Sequence, residues 1–467
     1  MAIIGRWTGG STTLIPSTSF TAPNGLFTTE QRNDNSVYSF DSSQSTVTLP
    51  TNLEDLADGY LVNAYFRYVD TSNDRFTGNA RFLLSSGTGN FLSGLSGGYS
   101  RDASEDTLYI RCWAFIDQPS TGASIQFTWA RDVEGPTGGT DLSVFEIIPF
   151  YYRGIGIAAS TATTNFGGTT PNQVTGFSQI GSVRGNISFA SNQFQLERNG
   201  SRYLCIGSAF LDGPTNRTQR WAGFRLDGTK DDETKSYYYM RENNNNRNGC
   251  VFANIYESDG STTIDMFQYR GDGVGSGQGG ASGDNFAISS ASYSMVVLQL
   301  HEQTEVFRSN TVSQSSTLNI TGPVDLDVCE NVAIEDTASF SKSNNSAMGI
   351  NKNMDCLLWS NLSVAQYTVS TGARWTAAGY ITRNGAEDTN TGHGNYQRNN
   401  QGTWDTFGWS TNPSGYIAVT NGDTVGSSIQ ELAGGEGGGT NQLPEGWGGF
   451  WGINLDTLRK ATIVNVS

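Results

Sequence analysis

"GYLVNAYFRYVDTSNDRFTGNARFLL", Gly59 to Leu84, puts Val62, Ala64, Phe66 and Tyr68 on one face of a period-two strand. After a polar turn the alternation resumes with Ala80, Phe82 and Leu84. "SRYLCIGSAFLDGPTNRTQRWAGFRL", Ser201 to Leu226, has the same form at an offset of 142 residues. At that offset Leu204, Ile206, Ser208 and Phe210 fall opposite the first four positions, and only Ser208 breaks the apolar rule. Ala222, Phe224 and Leu226 fall opposite the last three. Both turns, Asp70 to Arg75 and Asp212 to Arg217, carry residues that bond their own backbone or preset turn dihedrals. A hairpin written twice implies an internal repeat.

The match extends upstream. Ser39 to Gln44 parallels Ser188 to Gln193 at an offset of 149, so the first copy carries an insertion near "PTNLEDLADG". Thr51 and Glu54 there have capping-box spacing, which suits one helical turn. A third, fainter copy runs from Gly372 to Asn399, with Trp375, Ala377 and Ile381 leading to Asn384-Gly385, a strong hairpin signal. Apolar strands ending at Phe150, Leu300 and Leu455 close the copies. Three units of about 150 residues follow, each of ordinary domain size.

The expected divisions are residues 1–35 as an N-terminal arm or the first strand of unit one, then 36–153, 154–310 and 311–467. Many short strands with hardly any 3.6-residue periodicity predict an all-β chain of three tandem antiparallel jelly-roll β-sandwich domains.

Composition agrees. The 57 glycines in 467 residues suit turns rather than long helices. Acidic residues outnumber basic ones, 44 to 28, for a net charge of −16. That field repels phosphate backbones and anionic membranes, so neither nucleic acid nor membrane is an expected partner. The opening "MAIIGRWTGG" does not read as a signal peptide, which predicts folding in a cytoplasm. Cys112, Cys205, Cys250, Cys329 and Cys356 are scattered without a CxxC pair, so neither a disulfide framework nor a zinc site is expected. Two histidines, His301 and His393, leave little room for histidine-based catalysis.

The run "DGYLVNAYFRY", a variable turn, "GNARFLL" and a closing strand after a glycine-rich loop resemble the tumour-necrosis-factor and complement-globular-head jelly-roll superfamily. That resemblance implies trimeric assembly around an aromatic axis. Three units in one chain then make either an intramolecular pseudo-trimer or a stack along a homotrimer. The chain also resembles surface proteins of tailed-bacteriophage virions. This implies a non-enzymatic structural protein, assembled in the host cytoplasm and bound outside a capsid as a decoration or head-fibre subunit. Its partners would be capsid protein or copies of itself, and Ile3, Ile4 and Trp7 would belong to an anchoring arm. The rival readings are a receptor-binding tail fibre that touches host glycans and a polysaccharide-degrading enzyme.

Motifs for chemistry are weak. Gly94 to Gly98 spells GxSxG without a strand–helix context, and Gly275, Gly277 and Gly280 spell GxGxxG without a following helix. Arg270-Gly271-Asp272 sits at a strand end. Asp231-Asp232-Glu233, and Asp325 with Asp327, read as solvated acidic turns, with calcium as the alternative. No cofactor or metal is expected. The stronger candidates are aromatic: Trp404, Phe407 and Trp409, then Trp447, Phe450 and Trp451, as an interface or a glycan platform. Tyr237, Tyr238 and Tyr239 read as a strand running into an exposed loop.

Overall fold

The computed structural model describes residues 3–10, 12–13, 17–70, 76–100, 107–131, 138–163, 170–212, 218–240, 247–270, 290–311, 314–318, 320, 322–366, 374–398, 407–433, 441–443 and 448–458. Among them the chain is all-β, and its helical elements are short 3-10 turns. No helix there is long and apolar enough to cross a membrane.

The first unit contains β1 (Gly5–Gly9), β2 (Ser39–Asp41), β3 (Thr46–Thr48), β4 (Gly59–Asp70), β5 (Phe76–Ser86), β6 (Ser96–Ser100), β7 (Thr107–Asp117), β8 (Ser124–Arg131) and β9 (Gly138–Phe150). The second contains β10 (Gly154–Ser160), β11 (Ile187–Ala190), β12 (Gln193–Leu196), β13 (Arg202–Asp212), β14 (Thr218–Leu226), β15 (Ser236–Met240), β16 (Arg247–Glu257), β17 (Thr263–Arg270) and β18 (Ser290–Gln299). The third contains β19 (Val306–Asn310), β20 (Phe340–Lys342), β21 (Ala347–Ile350), β22 (Met354–Gln366), β23 (Arg374–Arg383), β24 (Ala386–Arg398), β25 (Phe407–Thr411), β26 (Ser414–Val419), β27 (Thr424–Ala433) and β28 (Gly448–Asn454).

Each unit is a pair of antiparallel sheets, and the strand order repeats. The inner sheets run β1-β9-β4-β7, β10-β18-β13-β16 and β19-β28-β22, the last flanked by β25 and β26. The outer sheets run β2-β3-β8-β5-β6, β11-β12-β17-β14 with β15 beside β14, and β20-β21-β27-β23-β24. Sheet membership moves one division: β19 belongs to the third unit, which therefore begins before residue 310, after Leu300. Within residues 1–35, β1 pairs with β9 and with Thr29–Asn33, so these two segments belong to the first unit's inner sheet.

Within each pair, side chains from both sheets interdigitate. Val62, Ala64, Phe66 and Tyr68 meet Ala80, Phe82, Ile125, Phe127 and Trp129 in the first core. The second core joins Tyr203, Cys205, Ala209 and Leu211 to Ala222, Phe224 and Ile264. The third joins Cys356 and Leu358 to Ala377, Ile381, Val425 and Ile429. The Asn384-Gly385 hairpin forms as expected, with both residues at positive φ (53° and 75°) and Arg383 paired to Ala386. The insertion holds a 3-10 turn, Leu53–Asp55, but its N-cap is Asn52 and no side chain caps it, so the Thr51/Glu54 capping box does not form.

The 142-residue alignment is wrong by one residue on the first strand of the hairpin. Leu204 and Ile206 do not point into the second core; they point out of it, into a cluster shared by all three units. The core-facing set begins at Tyr203, the counterpart of Tyr60. Each of these tyrosine hydroxyls accepts a bond from backbone just upstream, from Ala57 N (2.9 Å) and Arg198 N (3.3 Å). Tyr60-Leu61 therefore matches Tyr203-Leu204 at an offset of 143, while Ala80 still matches Ala222 at 142. The slip escaped the pattern because both faces of β13 are buried, so alternation does not choose between them. Ser208 breaks the apolar rule because it faces the first unit: a Cβ on Gly94 would come within 2.9 Å of its hydroxyl.

All five cysteines are free and buried. Burial alone pushes the thiol of Cys205 well above its ordinary range, and burial is the main cause for the other four as well. A thiol-reactive chromogenic reagent at pH 8 should therefore label none of the five over minutes in the native chain and all five in denaturant. Fast labelling of even one native thiol would contradict this packing.

Candidate functional site

The inner sheets are apolar on their outward faces too, and those three faces meet. Leu61, Phe115 and Ile148 of the first unit, Leu204, Ile255 and Leu298 of the second, and Leu357, Trp451 and Ile453 of the third lie in one buried cluster. Each large side chain buried this way contributes about 1.5–3 kcal/mol. At another contact the same strand of each unit supplies one tyrosine: Tyr99 from β6, Tyr239 from β15 and Tyr396 from β24. Their ring centroids are 5.5, 4.9 and 5.7 Å apart, mostly edge-on, as ring quadrupoles prefer. These contacts make the seams between units the most built feature of the molecule.

Every seam buries polar groups, and each is closed by a guanidinium. Between units one and three, Arg111 is fully enclosed. It donates to Ser414 Oγ (2.8 Å) and to the carbonyls of Thr391 (2.8 Å) and Gly392 (3.1 Å). Glu146 lies opposite Asn63 of the neighbouring strand, whose amide donates to it (3.1 Å), and Arg6 Nε stands 3.4 Å from it. Burial raises the Glu146 carboxyl, while Arg6 and Arg111 oppose the shift. Burial also depresses the Arg111 guanidinium to about 10, which still leaves it charged at neutral pH. Nearby, Arg32 grips Asp355 with two bonds of 2.8 Å. His393 accepts from Asn412 N (3.0 Å), and burial, helped by Arg111, pushes it down to about 3, so it is a neutral acceptor.

Between units two and three, Glu233 receives Arg308 Nε (2.9 Å) and Nη2 (2.7 Å), together with the amide of Asn254 (3.0 Å). Asp231, on the same turn, accepts from Glu233 N (3.1 Å) and from Tyr256 Oη. This corrects the solvated-turn expectation for Asp231 and Glu233. Their charges are enclosed because Arg308 and the amides replace water. Asp325 is exposed, and Asp327 accepts from Ser346 Oγ (2.6 Å). No cluster of metal-ligating side chains exists among the described residues. The seam of units one and two joins Arg184 to Asp117 and Trp113 Nε1 to Gly207 O (3.4 Å).

The aromatic candidates divide. Phe450 is enclosed in the third core. Trp451 is enclosed in the shared cluster, stacked on Trp359 (5.9 Å between centroids, 10° between planes), and donates to Ala253 O of unit two (3.0 Å). A ring so enclosed has no face for a sugar, so its role is packing between units. Phe407 and Trp409 lie on β25, opposite Gln366 and Val364, while Trp404 and Trp447 fall outside the described residues. Trp7 is buried and Ile3 partly buried in the first unit's core, while Ile4 is buried in the cluster shared by the three units, so all three positions are packed into the body. Tyr237 and Tyr239 face the third unit's cluster and Tyr238 the second core. Ser96 opens β6, so the residues from Ser96 to Ser100 continue as strand within a sheet and not as a helix. Arg270 ends β17, and Gly271, Asp272, Gly275, Gly277 and Gly280 fall outside the described residues.

No protein-family model matches the chain, and no curated protein does. Among solved structures it is similar to one titled "Crystal structure of murine APRIL at pH 5.0", at 11% identity, over 32% of this chain and 98% of that one, with a TM-score of 0.21.

Two outcomes follow from the seams. Arg111→Ala removes the cation that offsets Glu146 and leaves two carbonyls unpaired, so it should destabilise the fold by about 3–5 kcal/mol in a denaturant midpoint assay. The second concerns pH. Burial first, and Glu233 second, push Asp231 up to about 6, above the ordinary aspartate value of 3.8. The folded chain then binds a proton that the unfolded chain lacks between about pH 4 and 6. Asp231 therefore adds stability as pH falls through 6, and that contribution is lost as pH rises. Asp231→Asn should narrow the difference in melting temperature between pH 5 and pH 7 relative to wild type; an unchanged difference would contradict the assignment.

Proposed function

We propose that this chain is a non-enzymatic structural protein of a virion: three jelly rolls fused into the single-chain counterpart of a trimer, attached to the outside of a tailed-phage capsid as a decoration or head-fibre subunit. The observation that carries the reading is the shared cluster. Three inner faces are buried against one another within one polypeptide, so the body needs no second copy to cover them. What remains for partners is the outer sheets and the loop ends. A three-lobed body matches the local three-fold positions of an icosahedral shell, where many copies make modest individual affinity sufficient. The charge of −16 keeps decorated particles apart. Both histidines and all five thiols are buried, which supports a non-catalytic reading.

Two measurements test it. Light scattering of the purified chain should give a mass near 50.3 kDa; a stable species near three times that mass would overturn the single-chain trimer. Electron microscopy of virions carrying an epitope-tagged copy should show label on the head. Label confined to the tail would favour a receptor-binding fibre.

A further inference from the structure

Where the first unit hands over to the second, a cleft of about 210 Å³ is lined by Asp58, Gln118, Tyr152, Arg153, Gly154 and Arg184. Its walls are held from behind. Asp117, 1% exposed, accepts from Tyr152 Oη, from Arg184 and from Asn90 Nδ2 (2.9 Å). Tyr152 Oη also reaches Asp58 O (3.0 Å), and Arg184 exchanges backbone bonds with Ile155 (2.9 and 3.1 Å). Gly154 is required here, because a Cβ would meet Arg184 O at 2.7 Å.

Gln118 is the exception to this tying-down. Its backbone is left-handed (φ 48°), pinned by its N–H to Asp58 O (2.9 Å), and its exposed amide makes no hydrogen bond within the described residues. A non-glycine residue in that conformation over a preformed cleft is the kind of local strain that accompanies ligand sites.

The charges around the cleft balance. Arg184 is matched by Asp117, and Arg153 and Arg198 share Glu302, with Asp58 the third acid. A carboxylate or phosphate ligand would have to displace an existing acid partner, and a cation would meet guanidinium groups. A neutral ligand rich in hydroxyls meets neither cost. Planar amide, carboxylate and guanidinium groups match vicinal hydroxyls that both donate and accept. The volume lies below the usual ~300–1,000 Å³ of ligand pockets, which suits one sugar ring rather than a chain.

We infer that this cleft binds a single neutral sugar residue, a hexose or N-acetylhexosamine at a glycan end. The inference does not depend on the virion reading, and either can fail alone. The test is ligand-observed NMR with methyl glycosides of glucose, galactose, mannose, N-acetylglucosamine and N-acetylgalactosamine, with N-acetylneuraminic acid as the charged comparison. Saturation transfer to at least one neutral glycoside is expected, with a dissociation constant in the millimolar range. Gln118→Gly deletes the amide while easing the left-handed backbone, and should weaken binding at least tenfold without lowering the melting temperature. Asp58→Asn should weaken it as well. Silence from every neutral glycoside, a preference for the charged sugar, or full binding by both variants would overturn the assignment.

Discussion

The structure depends on one constraint: each inner sheet is buried on both faces. One face closes a sandwich with its own outer sheet, and the other closes the common cluster with the inner sheets of the remaining units. Taken apart, each unit would present the apolar face that it now buries in the shared cluster to water. The three sandwiches are therefore units of architecture rather than of stability.

Double burial explains the unusual polar content of the seams. Strand ends and turns that would be solvated on an isolated sandwich are enclosed here, and a buried donor or acceptor without a partner costs more than its bond is worth. The chain answers with Arg111, Arg308, Arg32 and Arg184, whose planar forks reach carbonyls, a hydroxyl and carboxylates on the neighbouring unit. Apolar contact is non-directional and would accept several relative placements of the lobes. These directional contacts differ at each seam, so they distinguish the three junctions. The sugar cleft belongs to the same economy, lying where a linker crosses a seam and the guanidinium partners reach the surface.

Local chemistry was legible in particular residues. Asn384-Gly385 announced its hairpin because φ > 0 at both positions is a preference of those two residues and needs no distant partner. The alternation of β4 was readable because Asn63 and Arg67 interrupt the apolar series on the seam face. In β13 the seam face carries Leu204, Ile206 and Phe210, and the pattern lost its phase. The shared Tyr60-Leu61 and Tyr203-Leu204 dipeptides held the true register, but two residues are outvoted by a long apolar run. Asp231 and Glu233 looked like a solvated turn for the related reason that Arg308 lies about 75 residues away in sequence.

What the sequence settled by itself was the all-β strand content and the Asn384-Gly385 turn, since these follow from dihedral preference and short-range periodicity. Which face of a strand is inward, whether an acidic turn is wet or enclosed, and whether Trp451 meets a ligand or a neighbouring unit were decided only in the tertiary structure. Those properties depend on what packs against a surface, and in this chain the covering surface is contributed by residues from about 75 to about 200 positions away.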